Sequence, residues 1–128
     1  MRSRYYYQMR IRGIRGAIQL EQDTPEEMVS AVSELLEQML TANQLNTEDL
    51  ISIIFTATPD LTSEFPAVAA RKIGLGSVPL LCSVEIDVPK SLPKVVRILL
   101  HAQLERPLNE VKHIYLRGAT VLRKDLAQ

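Results

Sequence analysis

The fold class is decided by a nearly unbroken apolar run, Leu50-Ile51-Ser52-Ile53-Ile54-Phe55-Thr56. A run of this kind, rich in β-branched residues, is typical of a central strand that is buried on both faces of a sheet. The strand is expected to end at Ala57-Thr58-Pro59-Asp60, because proline has no N–H to donate to a neighbouring strand. Ligands often bind at such strand ends.

The segment before this strand predicts an amphipathic helix. Thr24-Pro25-Glu26-Glu27 supplies an N-cap hydroxyl, a proline at the first helical position and a glutamate at the third, which together form a capping box. Apolar residues follow at helical spacing, at Met28, Val32, Leu35 and Met39. This stripe is expected to pack against the sheet.

The stretch before the helix, from Met9 to Glu21, predicts a strand that carries charge. Within it, Arg12-Gly13-Ile14-Arg15-Gly16-Ala17 places arginines beside glycines, and the glycines indicate a bulge or a close backbone approach. In simple alternation Arg15 shares a face with Ile11, Gly13 and Ala17. A half-buried arginine is costly unless it meets an anion, and the glycine leaves room beside Arg15 for one.

The C-terminal half of the sequence predicts one short helix and three more strands. The helix extends from about Glu64 to Ile73 and is terminated by Gly74 and Gly76. The strands are expected at Val78–Val88, Val95–Gln103 and Val111–Leu116.

This order of elements favours an α+β fold, a mixed β-sheet of about five strands with two helices on one face. Residues 9–128 are expected to form this single domain, preceded by an N-terminal extension at residues 1–8. The helices can cover only one face of the sheet, and the uncovered face keeps Val95 and Leu99 beside Arg97. Such a face is too apolar for free solvent, so we expect an oligomer.

The composition excludes several classes of function. The 128 residues carry 15 basic and 15 acidic side chains, so no overall field attracts nucleic acid or an anionic membrane. No stretch approaches the length of a membrane span, and no signal-like apolar core is present. The one cysteine, Cys82, allows no internal disulfide and fits a reducing compartment, so a cytoplasmic location is expected. The two histidines lie far apart in the sequence, so no metal site is expected.

Several charged or polar residues interrupt apolar or turn-forming segments. Arg97 either pairs with an acid at an edge or subunit interface, or points into a dry cleft. Glu85 fits a solvated strand face or the same cleft, and Tyr115 is either a core aromatic or a ligand contact. The helix dipole also explains Arg71, and Arg123 also fits a surface position. Together with the arginine of the first strand, these residues favour a pocket for a small polyanion.

The specific signal is the order of the motifs along the chain. They are Ile11–Ala17, Ala57–Leu61, Phe65–Ala67, Val78–Asp87 with Cys82 and Glu85, Arg97, His113–Leu116 and Ala119–Leu126. In this order they resemble the small, monofunctional, trimeric and sheet-rich class of chorismate mutase, and the resemblance extends from about Met9 to Leu126.

This resemblance implies a fold, an assembly and an activity. The sheets of three chains would form a trimeric pseudo-barrel with active sites at the subunit interfaces. Each site would rearrange chorismate to prephenate in phenylalanine and tyrosine biosynthesis. No cofactor or metal is implied, because the reaction is unimolecular and needs no nucleophile or general base.

The resemblance also implies catalytic roles for residues of one chain. Arg15 and Tyr115 would hold a substrate carboxylate, and Glu85 would bind the ring hydroxyl. Arg97 would donate to the ether oxygen, and the region of Cys82 would frame the floor of the pocket.

Further residues would bind the substrate at the edge of the site. The neighbouring subunit would contribute Phe65, Ala67 and Arg71. Leu122 and Arg123 would lie near the mouth.

Two other functions remain open from the sequence. One is a different enzyme on a similar trimeric scaffold, such as an imine deaminase with an arginine at a subunit interface. The other is a non-catalytic relative that binds a small anion. The second is supported by Val68, which occupies a position where the family usually has lysine.

Overall fold

Residues 9–123 are described in the computed structural model of the chain, and they form a mixed five-stranded sheet. The strands are β1 (Arg10–Gln19), β2 (Leu50–Ala57), β3 (Leu80–Val84), β4 (Val95–Leu104) and β5 (Ile114–Leu116). The helices are α1 (Pro25–Ala42) and α2 (Ala67–Lys72), and short 3₁₀ turns lie at Thr47–Asp49, Leu108–Glu110 and Arg117–Arg123. The extension expected at residues 1–8 lies outside the described residues.

The sheet has the strand order β3-β2-β4-β1-β5. The central strand β4 pairs antiparallel with β2 on one side and with β1 on the other. The edge strands are parallel to their neighbours, β3 to β2 and β5 to β1. Helices α1 and α2 contact each other, and they pack against the sheet through β1, β5 and β3. The predicted α+β architecture is therefore confirmed.

The strand quoted from the sequence is β2, and the prediction that it is buried on both faces is wrong for the single chain. Ile53 and Phe55 are fully buried on the helical side, whereas Ile54 and Thr56 on the opposite face are only half-buried. The physical reason is that the helices cover one face only, which leaves the opposite face of β2 without a layer above it. We refer to that second face as the open face.

Helix α1 begins where the sequence predicted. Thr24 Oγ1 accepts a hydrogen bond from Glu27 N at 3.1 Å, and Pro25 occupies the first turn. The predicted capping box is only half formed, because the Glu27 carboxylate accepts from Glu21 N. The predicted apolar stripe is confirmed, since its side chains at Met28, Val32, Leu35 and Met39 are fully buried.

Strands β3 and β5 and helix α2 are shorter than predicted, whereas β4 extends to Leu104, one residue beyond its predicted end. β3 ends at Val84, paired with Ala57, because β2 gives way to Pro59 beyond that point. Helix α2 begins at Ala67 after a 3₁₀-like turn, in which Ala69 N donates to Pro66 O at 3.0 Å. The last strand is reduced to Ile114–Leu116 because a 3₁₀ turn precedes it.

Gly16 marks a close approach and not a bulge. A Cβ at this position would overlap Met39 Sδ and lie 3.2 Å from Leu35 Cδ1, so α1 packs directly on the β1 backbone. The pairing of β1 with β4 is continuous from Arg10↔Leu104 to Gln19↔Val95, which is inconsistent with a bulge. The register shift occurs instead in β2, beside Ile51.

Part of the open face carries a second, smaller core. The 3₁₀ segment Arg117–Arg123 contacts β1 and β5, and its Ala119 is buried with Ala17 and Val95. Leu92, Tyr115 and Leu122 pack around these three residues. The remainder of the open face exposes apolar side chains, including Ile11 and Leu99. Within the described residues, no helix has the length and apolar character needed to cross a membrane.

The N-cap of α1 gives a direct test of how this helix is anchored. Thr24→Ala removes the acceptor for Glu27 N and should lower the free energy of unfolding by about 1 kcal/mol. Thr24→Ser keeps a hydroxyl and should retain most of that stability. Urea denaturation of both variants would measure the difference, and equal stability of the alanine and serine variants would contradict this role.

Candidate active site

Most of the charged residues singled out in the sequence meet in one cavity on the open face. The cavity has a volume of about 320 Å³ and is lined by strand and loop residues. The polar side chains of that lining are Arg15, Thr56, Glu85, Arg97, Tyr115 and Arg123. The cavity therefore combines three arginines with one carboxylate, one phenol and one aliphatic hydroxyl.

The strand register explains why these residues meet. Arg97 on β4 lies opposite Thr56 on one side and Ala17 on the other, and Ala17 in turn lies opposite Tyr115. Residues directly opposite each other on neighbouring strands project from the same face. The four side chains thus form a row across the open face, and within this row Ala17 is covered by the small core around Ala119.

Arg97 is held by an acid and also faces the cavity. Its Nε lies 3.4 Å from Glu85 Oε2, and the same oxygen accepts a hydrogen bond from Thr56 Oγ1. The Arg97 side chain is 50% exposed, so this ion pair adds little to stability. Its effect is to orient the guanidinium, because contact through Nε leaves the terminal nitrogens as donors for a ligand.

Glu85 lies just beyond the last residue of β3. Its backbone N donates to Ala57 O at 2.9 Å, which extends the pairing of β3 with β2 by one residue. The sequence pattern alone favours a solvated strand face for this glutamate. The structure places its carboxylate in the cavity instead, with an exposed fraction of 23%.

The backbone of Arg15 is anchored by a histidine. Arg15 N donates to His113 Nδ1 at 2.9 Å, immediately before β5 begins. Burial, followed by the nearby charges of Arg15 and Arg123, lowers the pKa of His113 below its usual value of 6.5. The imidazole is therefore neutral at pH 7 and accepts at Nδ1, which fixes the proton on Nε2.

Tyr115 and Leu122 each pack on the small core of the open face and also line a cavity. Tyr115 lines the cavity that contains Arg97. Its packing agrees with a core aromatic, and its contact with a ligand stays a prediction. Leu122 lines an adjoining cavity of about 640 Å³, which shares Glu85 and Arg97 with the first. The position of Leu122 is thus next to the charged cluster.

Four other residues expected at the site do not reach this cavity within one chain. Phe65 and Cys82 line a separate cavity of about 530 Å³. Ala67 is 3% exposed and belongs to the main core, and Arg71 is exposed in the last turn of α2. Cys82 pairs with the buried Phe55 and packs on the main core. Alternation along β3 therefore directs Cys82 and Glu85 to opposite faces of the sheet.

Thr56 and His113 were not assigned a role at the site from the sequence. Alternation along β2 places the side chain of Thr56 on the other face of the sheet from the buried Phe55. Only the pairing of β2 with β4 shows that Thr56 lies beside Arg97. From the sequence, His113 is interpreted as an unlikely metal ligand and as part of the motif His113–Leu116, but its hydrogen bond with Arg15 is not predicted. No group of His, Cys, Asp and Glu that could hold a metal occurs in the part of the chain that the structure describes.

The arrangement agrees with a match to a known family. Residues 11–126 match the family model described as chorismate mutase type I. The chain belongs to this family. The family predicted from the order of the motifs is therefore confirmed.

Individual relatives within the chorismate mutase family cover nearly the whole chain. A chorismate mutase AroH from Thermus thermophilus is 53% identical over 117 residues, which are 91% of this chain and 96% of the relative. A chorismate mutase AroH from Bacillus subtilis (strain 168) is 41% identical over 120 residues, 93% of this chain and 94% of the relative.

A solved structure of the same family supports the fold. The chorismate mutase from Clostridium thermocellum Cth-682 superposes with a TM-score of 0.84 at 45% sequence identity. The match covers 85% of this chain and 97% of that structure.

The neutral His113 makes the free energy of unfolding depend on pH. Because its pKa is lower in the folded chain than when unfolded, the unfolded chain binds more protons below about pH 6.5. Stability should therefore fall as the pH drops from 6.5 toward the lowered pKa, and protonation should also break the bond to Arg15 N.

Comparison with His113→Asn isolates this term, because asparagine can accept at the same position but does not titrate. Denaturant unfolding at pH 7.5 and pH 5.5 should show a larger loss of stability for the wild type than for the variant. Identical losses would show that His113 does not contribute.

Proposed function

We propose that this protein catalyses the Claisen-type rearrangement of chorismate to prephenate. The observation that carries the proposal is the row across β2, β4, β1 and β5, in which Arg97 is oriented by Glu85 and faces a cavity shared with Arg15 and Tyr115. Membership of the chorismate mutase family supports the same reaction.

The reaction explains why the site contains arginines but needs no nucleophile. Chorismate rearranges within one molecule, so the enzyme has to capture the compact conformer and stabilise charge as the ether bond breaks. Negative charge grows on the ether oxygen, and a fixed guanidinium there binds the transition state better than the substrate. An acceleration of ~10⁶-fold corresponds to about 8 kcal/mol, so restriction of the substrate must supplement the charge of Arg97.

The remaining side chains of the cavity account for the other groups of the substrate. Chorismate is a dianion, and Arg15 and Tyr115 would bind one of its carboxylates. Glu85 would accept a hydrogen bond from the ring hydroxyl while it orients Arg97. Arg123 lines the same cavity and Leu122 the adjoining one, and both would contact the substrate near the mouth.

A homotrimer with sites at the subunit interfaces accounts for the residues that lie outside the cavity. Phe65 is 68% exposed and Arg71 is exposed, so both are available to close the site of a neighbouring copy. The side chain of Ala67 is buried in its own chain, so its contribution would come from the backbone. The apolar part of the open face would be covered in the same assembly.

The proposed pathway is phenylalanine and tyrosine biosynthesis in the cytoplasm. The free thiol of Cys82 fits a reducing compartment. No cofactor is required by the proposed reaction.

The activity can be tested by incubating the protein with chorismate and following prephenate formation. Arg97→Lys keeps the charge but loses the planar fork, and it should lower kcat/KM by at least about 10²-fold. Arg97→Ala should lower it further. Arg10→Ala, at the other end of the sheet, is the matched control and should behave like the wild type. Near-normal turnover by Arg97→Lys would refute this mechanism.

The shared site can be tested by mixing two inactive variants. The Arg97→Ala and Arg71→Ala variants would be mixed in equal amounts, unfolded and reassembled. The mixture should regain about one quarter of wild-type activity, because about a quarter of the randomly formed interfaces combine an intact Arg97 with an intact Arg71. Sedimentation should give three times the mass of one chain. A site formed within a single chain would give no recovery on mixing.

A further inference from the structure

Thr56 contacts the charged pair at the centre of the cavity. Its Oγ1 donates to Glu85 Oε2, the oxygen that also lies 3.4 Å from Arg97 Nε. Two donors from different strands thus converge on one carboxylate oxygen. None of the sequence motifs pointed to this threonine.

The two partners of this hydrogen bond differ in how firmly the backbone holds them. Thr56 lies within β2 and is paired on both sides, with Arg97 of β4 and with Ser83 of β3. Its β-branched side chain has a restricted χ1 angle. Glu85 follows the end of β3, where one backbone bond to Ala57 O ties it to the sheet. A glutamate side chain has three rotatable bonds, so its carboxylate needs a fixed partner to hold one orientation.

We propose that Thr56 is a positioning residue that fixes the Glu85 carboxylate and, through it, the guanidinium of Arg97. This inference rests on the proposed chorismate rearrangement. The hydrogen bond joins two side chains of the protein itself, so neither partner has to be supplied by the substrate. A preorganised ion pair does not have to reorient as charge develops on the ether oxygen.

The other hydroxyls of β2 and its end have different partners. Ser52 Oγ lies 3.1 Å from His101 Nδ1, on the same face as Thr56 but outside the cavity. Thr58 Oγ1 accepts from Val95 N at 3.0 Å and donates to Asp60. Ser52 is therefore a matched control, because it offers a side-chain hydrogen bond on the same strand without contact to the ion pair.

The test is a set of variants assayed with chorismate. Thr56→Val keeps the branched shape and removes the hydroxyl, and it should lower kcat/KM by about 10-fold or more, since the lost hydrogen bond is to a charged group. Thr56→Ser should recover a substantial part of the activity. Ser52→Ala should leave the activity at the wild-type level.

A double-mutant cycle separates positioning from a structural effect. In a Glu85→Ala background, Thr56→Val should change kcat/KM less than twofold, because the group it positions is already absent. Thermal unfolding of each variant checks that the fold is retained.

If the wild type converts chorismate, any one of three results would overturn the inference. They are wild-type activity of Thr56→Val, equal losses in the presence and absence of Glu85, and a serine variant as poor as the valine variant. Absence of turnover by the wild type would instead overturn the proposed function, and the inference with it.

Discussion

Helices α1 and α2 cover one face of the sheet only, and the other features of the molecule follow from this constraint. The main core forms on the helical side, and the open face is free to carry charge. The 3₁₀ segment Arg117–Arg123 covers part of that face and builds a second core beside the charged row. The remaining apolar surface is what a neighbouring copy would bury.

The elements of this fold were largely predictable because their signals are local. A capping threonine, a proline and an apolar stripe define α1, and the apolar runs of β2 and β4 define two middle strands. What the local pattern could not show is which groups compete for a hydrogen bond. Glu27 was expected to complete its own capping box, yet it accepts from Glu21 N and lies 3.7 Å from Arg117.

The candidate site was predictable in part, and its limit is strand register. Arg97, Glu85, Arg15 and Tyr115 were named through family resemblance, and the structure brings them into one cavity. Thr56 and His113 were missed because their importance depends on which residue lies opposite or adjacent on another strand. Pairing of strands distant in sequence is set by the whole sheet, so no single segment encodes it.

The double coverage of β1 has a consequence for local opening of the chain. Around Ala17 and Ile18 this strand is hydrogen-bonded on both edges and fully buried on both faces, by the main core on one side and the small core on the other. Exchange of these backbone amides with solvent therefore requires both cores to open together. The edge strand β3 can fray without that event, whereas Arg97 is paired directly with Ala17 and lies in the part of the sheet that both cores protect.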